Sequence, residues 1–294
     1  TSVGQLLTGP WFNRESELDF DTRNKLKEHQ RMLAAQVPES DPARVSLEAT
    51  LRQRLGRFMD TSLERMVAQI GDTRYWNMPH GEPDWVSLPA GEFWMGEGKA
   101  LHRVYLDAFL IARTPITNAQ YHLFTQASGQ EPPHHWEGDQ PPKNLESHPV
   151  TYVAWNDALA YCAWLSQVTG KAITLPSEAQ WERAARGNQD QRRYPWGAEF
   201  EATRCNCKEL GLDQTTPVGI FQAGASPDGC LDMAGNVWEW TRSIYKDYPY
   251  DPNDGRENLE GGDDLTRVVR GGAFYNNSDA VGCGFRYGDL PSIR

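Results

Sequence analysis

The chain has 294 residues, 39% hydrophobic and 23% charged, enough for one large folded domain or two modest ones and too apolar for a disordered polymer. Its formal net charge of -11 and sequence pI near 5.1 repel phosphate backbones, which excludes nucleic acid as an expected partner, whereas carboxylate-rich loops suit hard cations. No apolar run approaches the roughly 20 residues that span a bilayer and no signal peptide is visible, so the expectation is a cytoplasmic protein without a membrane span.

Residues 1–84 read as a helical segment. A first helix is expected from about Asp21 through Leu26, Met32 and Leu33. Asp41-Pro42 has the form of an N-cap followed by proline at the first helical position, and Leu47, Leu51, Leu55, Phe58 and Met59 recur behind it at helical spacing. Thr61 and Glu64 form a candidate capping box for a further helix carrying Leu63, Met66, Val67 and Ile70. These stripes read as packing faces, and His29 lacks a second histidine at ligand spacing.

The texture changes near Asp84, so the second domain is placed at 85–294. Trp85-Val86-Ser87-Leu88, Phe93-Trp94-Met95 and Arg103-Val104-Tyr105-Leu106 read as strands. Thr117 caps a helix from Asn118 to about Gln126, and Trp155-Asn156-Asp157 opens another that ends near Gly170. Ser177 and Gln180 fit a capping box for a third, running to about Arg186. Beyond Gly187 periodicity fades, yet the density of Trp, Tyr, Cys and Gly argues for ordered loop. Cys162, Cys205, Cys207, Cys230 and Cys283 are odd in number and match no disulfide framework, so they read as reduced, mostly inert thiols.

The most informative run is Gly235-Asn236-Val237-Trp238-Glu239-Trp240, followed by Arg270-Gly271-Gly272. It sets a carboxylate between two tryptophans and then supplies a glycine pair that a tight backbone site requires. Taken alone, Trp-Glu-Trp reads equally as a half-buried strand with its glutamate facing water.

Several motifs in fixed order resemble the formylglycine-generating enzyme (sulfatase-modifying factor) family. They are Pro89-Ala90-Gly91-Glu92-Phe93 with Met95-Gly96, then Pro115-Ile116-Thr117-Asn118-Ala119-Gln120-Tyr121, His148-Pro149-Val150, and the run LPSEAQWERAARG from Leu175 to Gly187. Tyr194-Pro195-Trp196-Gly197, Thr216-Pro217-Val218-Gly219, GNVWEW and Arg270-Gly271-Gly272 complete the set. The resemblance implies an α+β, C-type-lectin-like domain: a small twisted antiparallel sheet, two or three helices and long irregular loops. Catalytic members hold copper on two cysteines five residues apart after Arg-Gly-Gly, and soft thiolates suit Cu(I). Here Ser278 stands five residues before Cys283, so neither copper nor cysteine oxidation is expected. The related sulfoxide synthases bind iron through three histidines of an N-terminal helical bundle. Only His29 precedes His80 here, and the adjacent His134 and His135 make a poor metal pair, so iron is not expected either.

The family's structural calcium remains possible on this sequence. The resemblance places its carboxylates at Asp232 and Glu239 and its main-chain oxygens at Gly235 and Val237, with a weaker second site around Asn206 and Glu209. The tail resembles the variable proteins of diversity-generating retroelements. Framework residues Arg270, Gly271, Gly272, Cys283, Arg286 and Pro291 are kept, while asparagine slots hold Tyr275, Ala280, Tyr287, Asp289, Leu290 and Ile293. The candidate ligand-binding residues are Phe274, Tyr275, Asn276, Asn277, Asp279, Ala280, Phe285, Tyr287, Asp289 and Leu290. Stiff aromatic anchors beside small hydrogen-bonding residues are the composition of a recognition surface. The expectation is a non-catalytic binder of a protein ligand, the alternative a metal-dependent oxidase of the same family.

Overall fold

The computed structural model describes residues 41–56 and 81–294, apart from 144, 261 and 263, together with the single positions 25, 28 and 32. Lys25, Glu28 and Met32 are helical; the rest of the expected first helix, His29 and the Thr61–Glu64 capping box lie outside the described residues. Helix α1 (Pro42–Gly56) starts as its sequence dictates: Asp41 Oδ1 accepts from the backbone N–H groups of Ala43 at 2.9 Å and Arg44 at 3.2 Å.

Of the described residues, those from 81 to 210 and from 214 to 294 form one compact unit. Its strands make three small antiparallel sheets. β1 (Trp85–Leu88) pairs with β4 (Phe109–Ala112), and β2 (Gly91–Met95) with β3 (His102–Leu106). β5 (Glu239–Ile244), β6 (Arg267–Arg270) and β7 (Tyr287–Asp289) form the third, with β6 central. Strand β4 has no apolar alternation to announce it, its burial running half-buried, exposed, half-buried, half-buried. Its pairing with β1 fixes it.

The helices follow their caps. In α2 (Asn118–Ser128) Thr117 Oγ1 accepts from Gln120 N at 3.2 Å while Gln120 Oε1 accepts from Thr117 N at 2.9 Å. Helix α4 (Glu178–Arg186) repeats the device with Ser177 and Gln180. Helix α3 (Trp155–Thr169) lacks a side-chain cap, and Asp157 Oδ2 accepts from Ala154 N at 3.1 Å instead. Gly129 and Gly170 end α2 and α3 in the left-handed region. Helices α2 and α3 share an aromatic core in which Tyr121 stacks on Tyr161 at 5.8 Å and Phe124 meets Tyr161 edge-on at 5.7 Å.

Helix α4 is buried at every position but half-buried Gln180, charged residues included. Trp181, Ala184 and Ala185 pack on Val86, Leu88, Met233 and Cys283. Its carboxylates face arginines. Glu182 pairs with Arg186 at 2.9 Å and with Arg270, and Glu178 pairs with Arg286 at 2.7 Å and Arg270 at 3.6 Å. The five cysteines are buried free thiols, and burial pushes Cys162, Cys230 and Cys283 up to about 12. Among the described residues no helix is long and apolar enough to cross a membrane.

Candidate binding face and cation site

The tail after β6 is wound around one guanidinium. Arg270 donates to the carbonyls of Cys283 at 2.8 Å, Gly284 at 3.1 Å and Phe285 at 2.8 Å. Gly271 (φ +93°) leaves space for Trp181, and a Cβ on Gly272 (φ +72°) would lie 2.7 Å from the Ala280 carbonyl oxygen. Further bonds fix the segment: Phe274 N donates to Asn236 O, Lys208 N to Asn276 O, Ser278 N to Glu209 Oε1 and Cys283 N to Arg193 O. The loop is irregular in path and held at nearly every turn.

On this frame Tyr275 and Tyr287 stand 58% and 56% exposed, Leu290 42%. Phe274 meets the Tyr275 ring edge-on at 5.1 Å. Phe285 and Tyr287 lie 6.1 and 5.9 Å from Trp238, and the Tyr275 hydroxyl lies within the electrostatic reach of Trp238 and Asp289. Thus Tyr275, Phe285, Tyr287 and Asp289 gather around Trp238. Asn277 is exposed at the start of the turn Ser278–Val281. Three expected contact residues have other duties. Asn276 Oδ1 accepts from Ala273 N at 2.8 Å and pegs a turn, Asp279 pairs with Arg193 at 2.6 Å, and half-buried Ala280 presents its carbonyl toward Gly272.

Two participants escape sequence reading. Trp238 belongs to the family motif, yet its ring is the hub of the exposed cluster. Tyr152, 48% exposed, adopts φ +58°, which a tyrosine avoids. His134 and His135 flank it at 4.6 and 4.9 Å. No sequence signal marks a left-handed tyrosine. Burial, aided by His134, holds His135 below the usual histidine range.

The second feature lies beneath the face. Asp232 (φ +57°), Gly235 (φ +75°) and Asn236 (φ +68°) turn one loop tightly. Asn236 is fully buried and knits three segments: its N–H donates to Asn206 O at 2.7 Å, and its Oδ1 accepts from Thr216 N at 2.9 Å and Asn206 Nδ2 at 3.2 Å. Asp232 Oδ2 accepts from Gly219 N at 2.5 Å. Glu239 opens β5 with its Oε1 enclosed and without a hydrogen-bond partner among the described residues, not turned to water as a lone strand would have it. It borders an apolar cavity of about 810 Å³ shared with Met233, Val237 and Trp240. Burial pushes Asp232 up to about 6 and Glu239 to about 8, the latter with help from Asp232. No cationic side chain contributes to either carboxylate. The weaker set is split: Asn206 is buried, with Oδ1 unpartnered among the described residues, whereas Glu209 is exposed and caps the tail turn.

Gly235→Ala tests how rigid this crossing is. Its Cβ would sit 2.1 Å from the Asn206 carbonyl oxygen at a left-handed φ. A loss of about 2–3 kcal/mol is expected in denaturant melts, from overpacking and backbone strain together. A melt matching the parent would show that the loop yields.

Residues 76–294 match the family model described as the sulfatase-modifying factor enzyme 1-like domain. The formylglycine-generating enzyme of Thermomonospora curvata is 32% identical, the match covering 53% of this chain and 69% of that one. Other curated relatives are spanned over about a third to two fifths of their length, 36%, 35% and 40% in three cases. Among solved structures, PvdO from Pseudomonas aeruginosa superposes with a TM-score of 0.60 at 28% identity, covering 72% of this chain and 90% of that one. Treponema denticola variable protein 1 superposes at 0.57 with 23% identity, covering 71% and 90%, a likeness of fold alone.

Proposed function

The chain belongs to the FGE-sulfatase, or sulfatase-modifying factor enzyme 1-like, family, and from that premise we propose that it is a non-catalytic member that binds a protein ligand through its tail. Its fold is the C-type-lectin-like fold of that family. The observation that carries the reading is the aromatic cluster on half-buried Trp238 and Phe285, with Tyr275 and Tyr287 exposed beside them, set on a backbone that other residues hold. Rigid aromatic anchors lose little conformational entropy on binding. Cys283 supports it from the other side. Its thiol is enclosed in the core and held protonated, and its family partner position is Ser278, a poor Cu(I) ligand.

Buried Asp232 and half-buried Glu239, with its Oε1 enclosed, favour a resident cation. Two ionisable groups enclosed together without a cationic partner fit a hard ion such as Ca²⁺, which would hold the loop in shape and do no chemistry. The departures at asparagine slots further support a diversified face, in keeping with a fold shared with a protein titled a variable protein. A template repeat near the gene, differing from the coding copy at adenines, is the sequence signature that checks this.

The binding test is a displayed-peptide selection against the full chain, compared with a Tyr275→Ser/Tyr287→Ser/Leu290→Ser variant. These side chains shape none of the tail's backbone bonds, so the melting curve is expected to move little, about 0.5 kcal/mol per site. Selected binders are expected to weaken at least about tenfold, as loss of anchor residues does. Equal binding to both proteins would overturn the reading. So would turnover of a cysteine-bearing peptide by the copper-loaded chain.

A further inference from the structure

The tail is one part of a wider face, and its chemistry is selective. The loop bearing Tyr152 is stitched to the tail and to β5: Trp155 N donates to Pro291 O at 3.0 Å, and Trp240 Nε1 to Val153 O at 2.9 Å. These anchors stand within three residues of Tyr152 and tie its loop to the tail at Pro291 and to the strand that follows Trp238. A tyrosine held at φ +58° is strained, in a backbone region that side chains beyond glycine rarely adopt. Here the strained side chain is not buried for packing. It stands 48% exposed, packed against two imidazole rings that lie 6.0 Å from each other.

The arginines in and beside the tail are each matched by a carboxylate. In the tail, Arg286 is committed to Glu178, and Arg294 to Asp157 at 3.2 Å. Arg193 is matched by Asp279. Asp289, half-buried beside Tyr275, accepts from Leu290 N at 2.9 Å and has no ion pair among the described residues. Electron-rich ring faces next to an unneutralised carboxylate, on a chain of net charge -11, attract a cation. They disfavour an acidic or purely apolar ligand.

We propose that Tyr152, packed against His134 and His135, completes the face formed by Trp238, Tyr275, Tyr287 and Asp289, and that this face receives an arginine- or lysine-bearing segment of a basic protein. The inference rests on the ligand-binding reading above and narrows it to a chemical class. An arginine suits the site best, because its planar guanidinium stacks on a ring while its fork reaches a carboxylate.

The experiment is a random displayed-peptide selection on the full chain, with a Tyr152→Gly/Tyr275→Ala/Tyr287→Ala variant as counter-selector. That variant keeps every charge, so peptides held by net charge alone bind both proteins and drop out. Peptides specific to the parent are expected to be rich in arginine and lysine. Exchanging the key arginine for citrulline is expected to weaken binding about five- to tenfold or more, the scale of one cation–π contact with a carboxylate beside it. Tyr152→Gly alone is expected to weaken these peptides by a similar factor without lowering the melting temperature, because glycine relieves the left-handed strain, and Asp289→Asn by a few fold. Specific peptides that need Tyr275 and Tyr287 but carry no enriched cation would overturn the class while leaving the binding reading intact. Binding indifferent to Tyr152→Gly would remove that loop from the face. If no specific peptide depends on Tyr275 or Tyr287, the inference and the reading beneath it both fall.

Discussion

Arg270→Ala is expected to cost about 3–5 kcal/mol, enough to unfold much of the domain at room temperature. The physical reason is the company this arginine keeps. Its guanidinium is fully buried, bonded to Glu182, near Glu178 at 3.6 Å and donating to three consecutive tail carbonyls. Truncation takes one of two guanidinium partners from each buried carboxylate, leaving Arg186 and Arg286, and strips three carbonyls of their donor at once. Burial already raises Glu178, and Arg270 is the first cation opposing that rise. Arg270→Lys is expected to recover only part of the loss, since an ammonium cannot span a fork that serves a carboxylate on one side and carbonyls on the other. Denaturant melts followed by tryptophan fluorescence check both variants. An alanine variant that melts within about 1 kcal/mol of the parent, the size of an ordinary surface change, would show that water or rearrangement replaces the network.

Calcium is expected to raise the melting temperature of chelator-treated protein by about 5–10 °C at pH 8 when present at a hundredfold excess over its dissociation constant. That excess corresponds to about 2.7 kcal/mol, and a domain of this size shifts by about 2–4 °C per kcal/mol. The effect has a pH sign. Burial raises Glu239 from 4.5 to about 8 and Asp232 from 3.8 to about 6 in the folded chain. The metal-free fold therefore binds more protons than the unfolded chain across those windows. Their stabilising contribution is fully present below about pH 4, then is lost as pH rises through about 6 for Asp232 and about 8 for Glu239. A cation needs the ionised carboxylates, so its stabilisation grows over the same range and is expected to be small at pH 5. Glu239→Gln is expected to abolish the calcium response and to make the metal-free protein more stable at pH 8 than the metal-free parent. Calorimetry at both pH values decides. A calcium response equal in parent and variant, or no response in either, would remove the site.

Local chemistry made much of the fold legible. Thr117 with Gln120, Ser177 with Gln180 and Asp41 with Pro42 are caps whose partners lie within one turn, so residue order alone fixes them. The motif Arg-Gly-Gly was visible too, but its meaning was not: Arg270 acts on carbonyls more than ten residues away and on carboxylates of a helix some ninety residues earlier. The same limit explains Glu239, whose neighbourhood of buried Asp232 and Trp181 is assembled by the fold. Asn276 illustrates a subtler failure. Its composition suits a contact surface, yet an asparagine two or three residues into a turn also bonds its own backbone, and that use prevailed. Tyr152 carried no mark at all, because backbone handedness at a tyrosine is imposed by its surroundings.

The bonds that shape the tail's path come from Arg270, from Asn236 O, from the main chain at 193 and 208, and from Glu209. The side chains of Tyr275, Asn277, Tyr287 and Leu290 supply none of them. Folding and recognition thus draw on separate sets of positions. On the proposed binding role, new side chains at the second set leave the first untouched, so a lineage would have room to explore many partners while each descendant still folds.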